Sequence, residues 1–269
     1  MSQASRTFFA SELGLRIVSA IVLLFVVLTI SWFGDVALVL LSLALAAVLY
    51  YEWQALVRQT PFDGTEIVLT LGFAALLLLI LLGLPWWGLG LFLGLGLILE
   101  LTAKGQEKSD VRWIGLGALY CAIPAFALPI IREHSFALLV FVFLVVWVTD
   151  VAGYFVGRAF GGPKLMKSVS PKKTWSGALG GLAGAVIVGL LFQYFVPDFK
   201  AGYAWVFAII LSVASQAGDL FESSVKRAFD TKDSSNLIPG HGGFLDRVDG
   251  LITASLLMAL ILLVSPPYL

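Results

Sequence analysis

Apolar stretches of helical length alternate with short polar connections along almost the entire chain. A helix crossing the hydrocarbon core of a bilayer needs about 20 mostly apolar residues, and within lipid only helices and closed barrels satisfy their own backbone groups. These runs are longer than barrel strands, so they predict helices. Nine can be drawn, at about 15–33, 35–53, 66–84, 86–101, 113–131, 136–157, 177–196, 202–222 and 248–264. The tightest turns are Gly34-Asp35 and Leu84-Pro85-Trp86, and glycines thin the fourth run. No small-residue cleavage site follows the run from Ile17 to Phe33, which predicts a retained first helix. The expected fold is an all-α polytopic integral membrane protein forming a single membrane domain over 1–269. Residues 1–132 supply the N-terminal helices, and 133–269 supply the helices and loops that carry the candidate site.

Composition agrees: 59% of residues are hydrophobic and 13% charged, against about a quarter charged in a soluble domain. Net charge is zero, so the position of each charge matters more than the total. On the nine-span reading, all but Arg132 and Lys200 of the 17 Lys and Arg residues fall on one side. The positive-inside rule makes that side cytosolic, with the N-terminus there and the C-terminus across the membrane. Cys121 stands alone in an apolar helix, so neither a disulfide framework nor a cysteine metal site is available. Trp86 and Trp87 at one interface, and Tyr50, Tyr51 and Trp53 at the other, read as aromatic belts. Glu52, within the second group, reads as a snorkelling interfacial acid, with distant membership of the site as the other option. Gly177, Gly180, Gly181, Gly184 and Gly189 predict close helix packing in the seventh span. His134 reads as a solvated loop residue on the far side.

Chemistry concentrates between Ser223 and Asp249, where Lys226, Arg227, Asp230, Lys232, Asp233, His241, Asp246, Arg247 and Asp249 surround a Pro239-Gly240-His241-Gly242-Gly243 turn. Ionisable groups beside apolar spans are costly unless they bind something. Asp150 and Asp219 with Glu222 sit near the cytosolic ends of the sixth and eighth spans; Asp150 lies roughly 10 Å below Gly157 at helical rise. Asp219, Ser223 and Lys226 are spaced to share one helical face, and Asp246 with Asp249 forms a second acidic stripe. Carboxylates without cysteine point to magnesium, which leaves positions for water and substrate phosphates. Glycines in the turn can present backbone N–H groups to an anion. Ser170-Pro171-Lys172-Lys173-Thr174-Trp175, on the same face, adds two ammonium groups, a hydroxyl and a ring. Lysine pairs of this kind also contact anionic headgroups.

Ser223-x-Val225-Lys226-Arg227, Lys232-Asp233-x-Ser235 and Ile238-Pro239-x-His241-Gly242-Gly243-Phe244-x-Asp246-Arg247-Val248-Asp249 together resemble the signature of phosphatidate cytidylyltransferases. Asp150-x-x-Gly153-Tyr154-x-x-Gly157 and the Ser170–Trp175 segment are similar to that family's upstream motif. Ser176 departs from the family, which often carries glutamate or glutamine there; the first hundred residues match only in hydropathy. The resemblance implies that CTP and phosphatidic acid give CDP-diacylglycerol and pyrophosphate. It also implies a bacterial inner membrane location with the site facing the cytosol, a homodimer, and no nucleic-acid partner. Magnesium would lie on Asp219 and Asp246, supported by Asp249 and Ser223, with a second cation or a base as the partner of Asp150. Lys226, Arg227, Lys232 and Arg247 would neutralise phosphates, Lys172 and Lys173 would complete the clamp, and Gly242 and Gly243 would approach the substrate. For His241, phosphate donation, proton transfer and loop bracing all stay open.

Two other functions share some of these features. A CTP-dependent lipid kinase would activate a neutral alcohol against the γ-phosphate, which calls for a base. A transporter would place its acids near the midplane, at broken helices with repeat symmetry. Clustering at one face without a repeat favours the enzyme. A CDP-alcohol phosphotransferase is disfavoured because its single-helix run of spaced acids is missing.

Overall fold

The computed structural model describes residues 29–32, 35–57, 64–102, 108–196, 203–235, 237 and 242–264. Eight helices follow in order: α1 (Asp35–Val57), α2 (Gly64–Leu81), α3 (Pro85–Thr102), α4 (Lys108–His134), α5 (Phe136–Phe160), α6 (Trp175–Phe195), α7 (Ala204–Ala228) and α8 (Leu245–Val264). Between α5 and α6 the chain forms an antiparallel hairpin of β1 (Lys164–Met166) and β2 (Ser170–Thr174).

Polar residues set the helix boundaries. Ser135 separates α4 from α5 and caps α5 by accepting the amide of Ala137 at 3.1 Å. Thr174 ends β2 and caps α6 through the amide of Gly177, also at 3.1 Å. At the C-terminus of α7, Asp230 takes a left-handed φ of 52°. The amide of Thr231 then reaches back to the carbonyl of Lys226 at 2.8 Å and that of Asp230 to Arg227 at 3.3 Å. This double bond pattern closes a helix end, and aspartate tolerates the left-handed position better than most side chains.

Among the described residues, six helices are long and apolar enough to cross a membrane: α1, residues Arg112–His134 of α4, α5, α6, α7 and α8. The protein is therefore a polytopic membrane protein. The expected third and fourth spans form helices whose apolar parts, Ile67–Leu81 and Trp86–Leu95, are shorter than a full crossing. Of the first expected span only residues 29–32 are described, and they are helical.

Two apolar cores meet at α4. One joins α1 to α4 with Val225 of α7 and Leu245 and Ile252 of α8. The other joins α5 to α8 with Leu38, Leu128 and Ile131. The aromatic belt expected at Tyr50, Tyr51 and Trp53 is corrected. Tyr50 and Trp53 are core residues, Trp53 being fully buried with its Nε1 donating to the carbonyl of Trp113 at 2.9 Å; only Tyr51 faces outward. A buried indole needs such an acceptor, and Trp113 on α4 supplies it. Trp86 and Trp87 are exposed as expected, and Cys121 is buried without a partner thiol. Close packing of the glycine-rich α6 is present: a Cβ on Gly177 would lie 2.8 Å from the carbonyl oxygen of Gly153 on α5.

Candidate active site

The site forms where the C-terminal end of α7, the N-terminal end of α8 and the hairpin come together. α7 continues to Ala228, past the apolar run, which puts Ser223, Lys226 and Arg227 on the helix itself. Two bases in its last turn complement the negative end of the helix dipole. α8 begins at Leu245, earlier than hydropathy suggests, and so places Asp246 in its first turn, where a carboxylate is favoured. The two helices cross closely at Gly218, where a Cβ would sit 2.6 Å from the carbonyl oxygen of Asp249. No larger residue fits there without displacing α8.

Lys226 lies between two carboxylates. Its Nζ is 2.6 Å from Glu222 on the preceding turn and 2.6 Å from Oδ1 of Asp246 on α8. Glu222 is wholly buried, and the side chains of Lys226 and Asp246 are 11% and 10% exposed. Oδ2 of Asp246 accepts the amide and hydroxyl of Ser234, each at 3.0 Å, and the amide of Gly243 at 2.9 Å. Asp246 thus spends both oxygens on protein donors. It pins the signature turn and neutralises Lys226, where the sequence reading had it holding magnesium. Lys226 in turn is a buried counter-ion, not an open phosphate ligand, and it pairs with Glu222 instead of joining Asp219 across the expected stripe.

Asp219 pairs with Lys173 of β2, and its Oδ1 accepts the Ser223 hydroxyl at 3.4 Å. Arg227 ties the same hairpin to α7: its Nε donates to the carbonyl of Val169 at 3.3 Å and its Nη1 to that of Thr231 at 2.8 Å. The sequence assigned Arg227 to phosphate, yet these bonds make it a strut as well. Through α7 the lysine motif and the signature around Asp246 therefore belong to one site. Lys172, Lys232 and Arg247 are exposed around it, and Asp150 is exposed on α5. Asp150 makes no ion pair among the described residues. Ser176, the departure from the family pattern, donates to the carbonyl of Gly161 and bonds the Thr174 hydroxyl at 3.0 Å, fastening the hairpin to α6. His241, with Pro239 and Gly240, lies outside the described residues. His134 is exposed, as expected, with Nδ1 3.0 Å from the carbonyl of Ile130.

Glu52 is the residue sequence reasoning misjudged. It is fully buried, not snorkelling. Its Oε1 accepts the hydroxyl of Ser235 at 2.5 Å and the amide of Phe244 at 2.9 Å, while Oε2 accepts the amide of Leu245 at 2.7 Å. The signal was available: an acid in an apolar helix with no base three or four residues to either side has to find donors elsewhere.

No group of three or more His, Cys, Asp or Glu side chains among the described residues forms a cage for a metal ion. Magnesium does not require one, since it binds through one or two carboxylates together with waters and substrate phosphates. Asp219 and Asp249 meet that need. The residue before Asp219, Gly218, packs against the backbone of Asp249, and Asp249 spends only Oδ1 on a neighbouring amide, that of Gly250 at 2.7 Å. This donor set fits a hard cation shared with a ligand.

The cytidylyltransferase family profile matches residues 14–265. A protein of Brucella suis named phosphatidate cytidylyltransferase is 44% identical over 264 residues, covering 93% of each chain. One of the same name from Haemophilus influenzae is 37% identical, covering 89% of this chain and 94% of its own. A third, from Staphylococcus saprophyticus, is 40% identical over 157 residues, or 57% of each chain.

Proposed function

Because this chain belongs to the cytidylyltransferase family, we propose that it transfers the cytidylyl group of CTP to phosphatidic acid, releasing pyrophosphate and forming CDP-diacylglycerol. A phosphate oxygen of the lipid attacks the α-phosphorus of CTP, and the bond from that phosphorus to the bridging oxygen of the β-phosphate breaks. The nucleophile is already anionic, so the protein's task is to position two anions and neutralise the charge that builds between them. Lys172, Lys232 and Arg247, exposed around the site, supply cations for the triphosphate and the lipid phosphate. Lys173 and Asp219 hold each other in the resting site; a triphosphate gives Lys173 a second anion and leaves Asp219 free for a cation. The buried Glu222–Lys226–Asp246 group stays clear of the substrate and keeps the turn and α8 in register.

Magnesium would be held by Asp219 and Asp249, with Asp150 near enough to serve a second cation. When bound, it neutralises phosphate oxygens as charge accumulates on the leaving pyrophosphate. For the protein in the membrane we favour nine spans, a cytosolic N-terminus and a C-terminus across the bilayer, as the one-sided lysines and arginines support. The site then faces the cytosol of a bacterial inner membrane, where CTP is available, and two copies associate as a homodimer.

The observation that carries the reading is the convergence on α7: Lys173 of the hairpin pairs with Asp219, and Asp246 of the signature pairs with Lys226. The test is purified protein in detergent with phosphatidic acid, magnesium and CTP labelled at the α- or the γ-phosphate. Label from the α position should enter the lipid, with one pyrophosphate released per liponucleotide. Label from the γ position in the lipid would mean a kinase and end the proposal.

A further inference from the structure

We propose that Glu52 is a positioning residue for this reaction, an acid from the N-terminal half of the chain that sets the location of the signature turn and the start of α8. A fully buried carboxylate is costly unless its charge is answered by hydrogen bonds. Among the described residues no lysine or arginine answers Glu52. Its donors are the hydroxyl of Ser235 and the amides of Phe244 and Leu245. Those amides belong to the group of N–H donors that every helix leaves unpaired at its N-terminus, where the dipole also favours an anion. Glu52 therefore caps α8 from a distant helix.

Two acids divide the donors of the turn between them. Ser234 and Gly243 bond to Asp246, whereas their chain neighbours Ser235 and Phe244 bond to Glu52. Asp246 follows Leu245 directly, so the amide Glu52 holds is adjacent to the carboxylate that meets Lys226. Gly243 is wedged where these groups converge: a Cβ on it would lie 2.7 and 2.8 Å from the two oxygens of Glu52. Releasing Glu52 frees the turn to slide, and Asp246 and Asp249 move with it. The activity arm of the test rests on the cytidylyl-transfer reading; the exchange arm stands without it.

The full-length protein is purified in detergent as wild type, Glu52→Gln, Glu52→Ala and Ser235→Ala. Hydrogen–deuterium exchange is followed at Phe244 and Leu245, together with melting, kcat, and KM for CTP and for phosphatidic acid. Glu52→Gln keeps the shape but turns an amide N–H₂ toward a backbone donor. It should speed exchange at those two amides at least tenfold, leave α4 and α5 protected, and lower kcat roughly a hundredfold. KM for phosphatidic acid should stay within about twofold, because the lipid is not a partner of Glu52. Ser235→Ala removes one of the three donors and leaves folding intact, so kcat should fall roughly tenfold with unchanged melting. Wild-type exchange at Phe244 and Leu245 in Glu52→Gln would overturn the proposal. So would a full kcat in that variant, or a lower melting point with kcat untouched, the signature of mere packing. If wild type makes no liponucleotide, the reaction assigned above fails, and the exchange measurement alone decides the case of Glu52.

Discussion

Lys226 on α7 and Asp246 on α8 meet at 2.6 Å, and the same ammonium sits 2.6 Å from Glu222, so a single buried cation serves two acids. Removing it strands two carboxylates. Breaking a buried pair by deleting one partner costs about 3–5 kcal/mol. Lys226→Met should therefore lower the melting temperature sharply and abolish turnover. Glu222→Gln leaves Lys226 with Asp246 and should be much milder. Thermal unfolding in detergent, ranking the two variants, checks this; equal losses would refute it.

Asp219 faces Lys173 and lies near Asp249. Asp219→Asn keeps the shape while removing the charge, so the chain should insert and melt much as wild type. Its turnover should fall by more than about a hundredfold. Lys173→Ala should raise KM for CTP more than it lowers kcat. Steady-state kinetics of both variants measures the contrast.

Chelation gives a third test. With EDTA in excess, turnover should vanish and return with magnesium, and Asp249→Asn should need more magnesium for half-maximal rate. Half-saturation unchanged in that variant would remove Asp249 from the ion's shell. On the proposal that the two acids hold one ion, the effects of Asp219→Asn and Asp249→Asn should not add.

Gly242 and Gly243 predict different failures. Gly242 has a φ of 78°, and an alanine there costs about 1–2 kcal/mol of backbone strain. Its Cβ would also press on Oδ2 of Asp246 at 2.8 Å, a single contact, whereas an alanine at Gly243 would collide with both Ser234 and Glu52. Gly242→Ala should be recoverable at lower temperature, whereas Gly243→Ala should fail to accumulate as folded protein.

Much of this was legible before any coordinates. Span lengths placed the helices because lipid demands them, and the spacing from Ser223 to Asp249 marked the site. What sequence missed were pairings. A helical stripe put Lys226 beside Asp219, but the crossing at Gly218 turns Lys226 toward α8 and gives Asp219 to the hairpin. Hydropathy ended the eighth span early because it scores Ser223, Ser224 and Lys226 as solvent-loving, while here the preceding turn of α7 takes both hydroxyls and Lys226 is shared between Glu222 of α7 and Asp246 of α8. Trp53 and Glu52 looked interfacial because an aromatic and an acid usually are; their donors and acceptors lie on α4 and α8, remote in sequence.

The bond from Leu245 to Glu52 spans 193 positions. A growing polypeptide emerges N-terminus first, so α1 enters the bilayer with its acid long before the amides that complete it exist. Until α8 is in place, the carboxyl of Glu52 lacks two of its three donors. A chain released before Phe244 and Leu245 are made lacks the two amides that Glu52 binds, and should show no turnover.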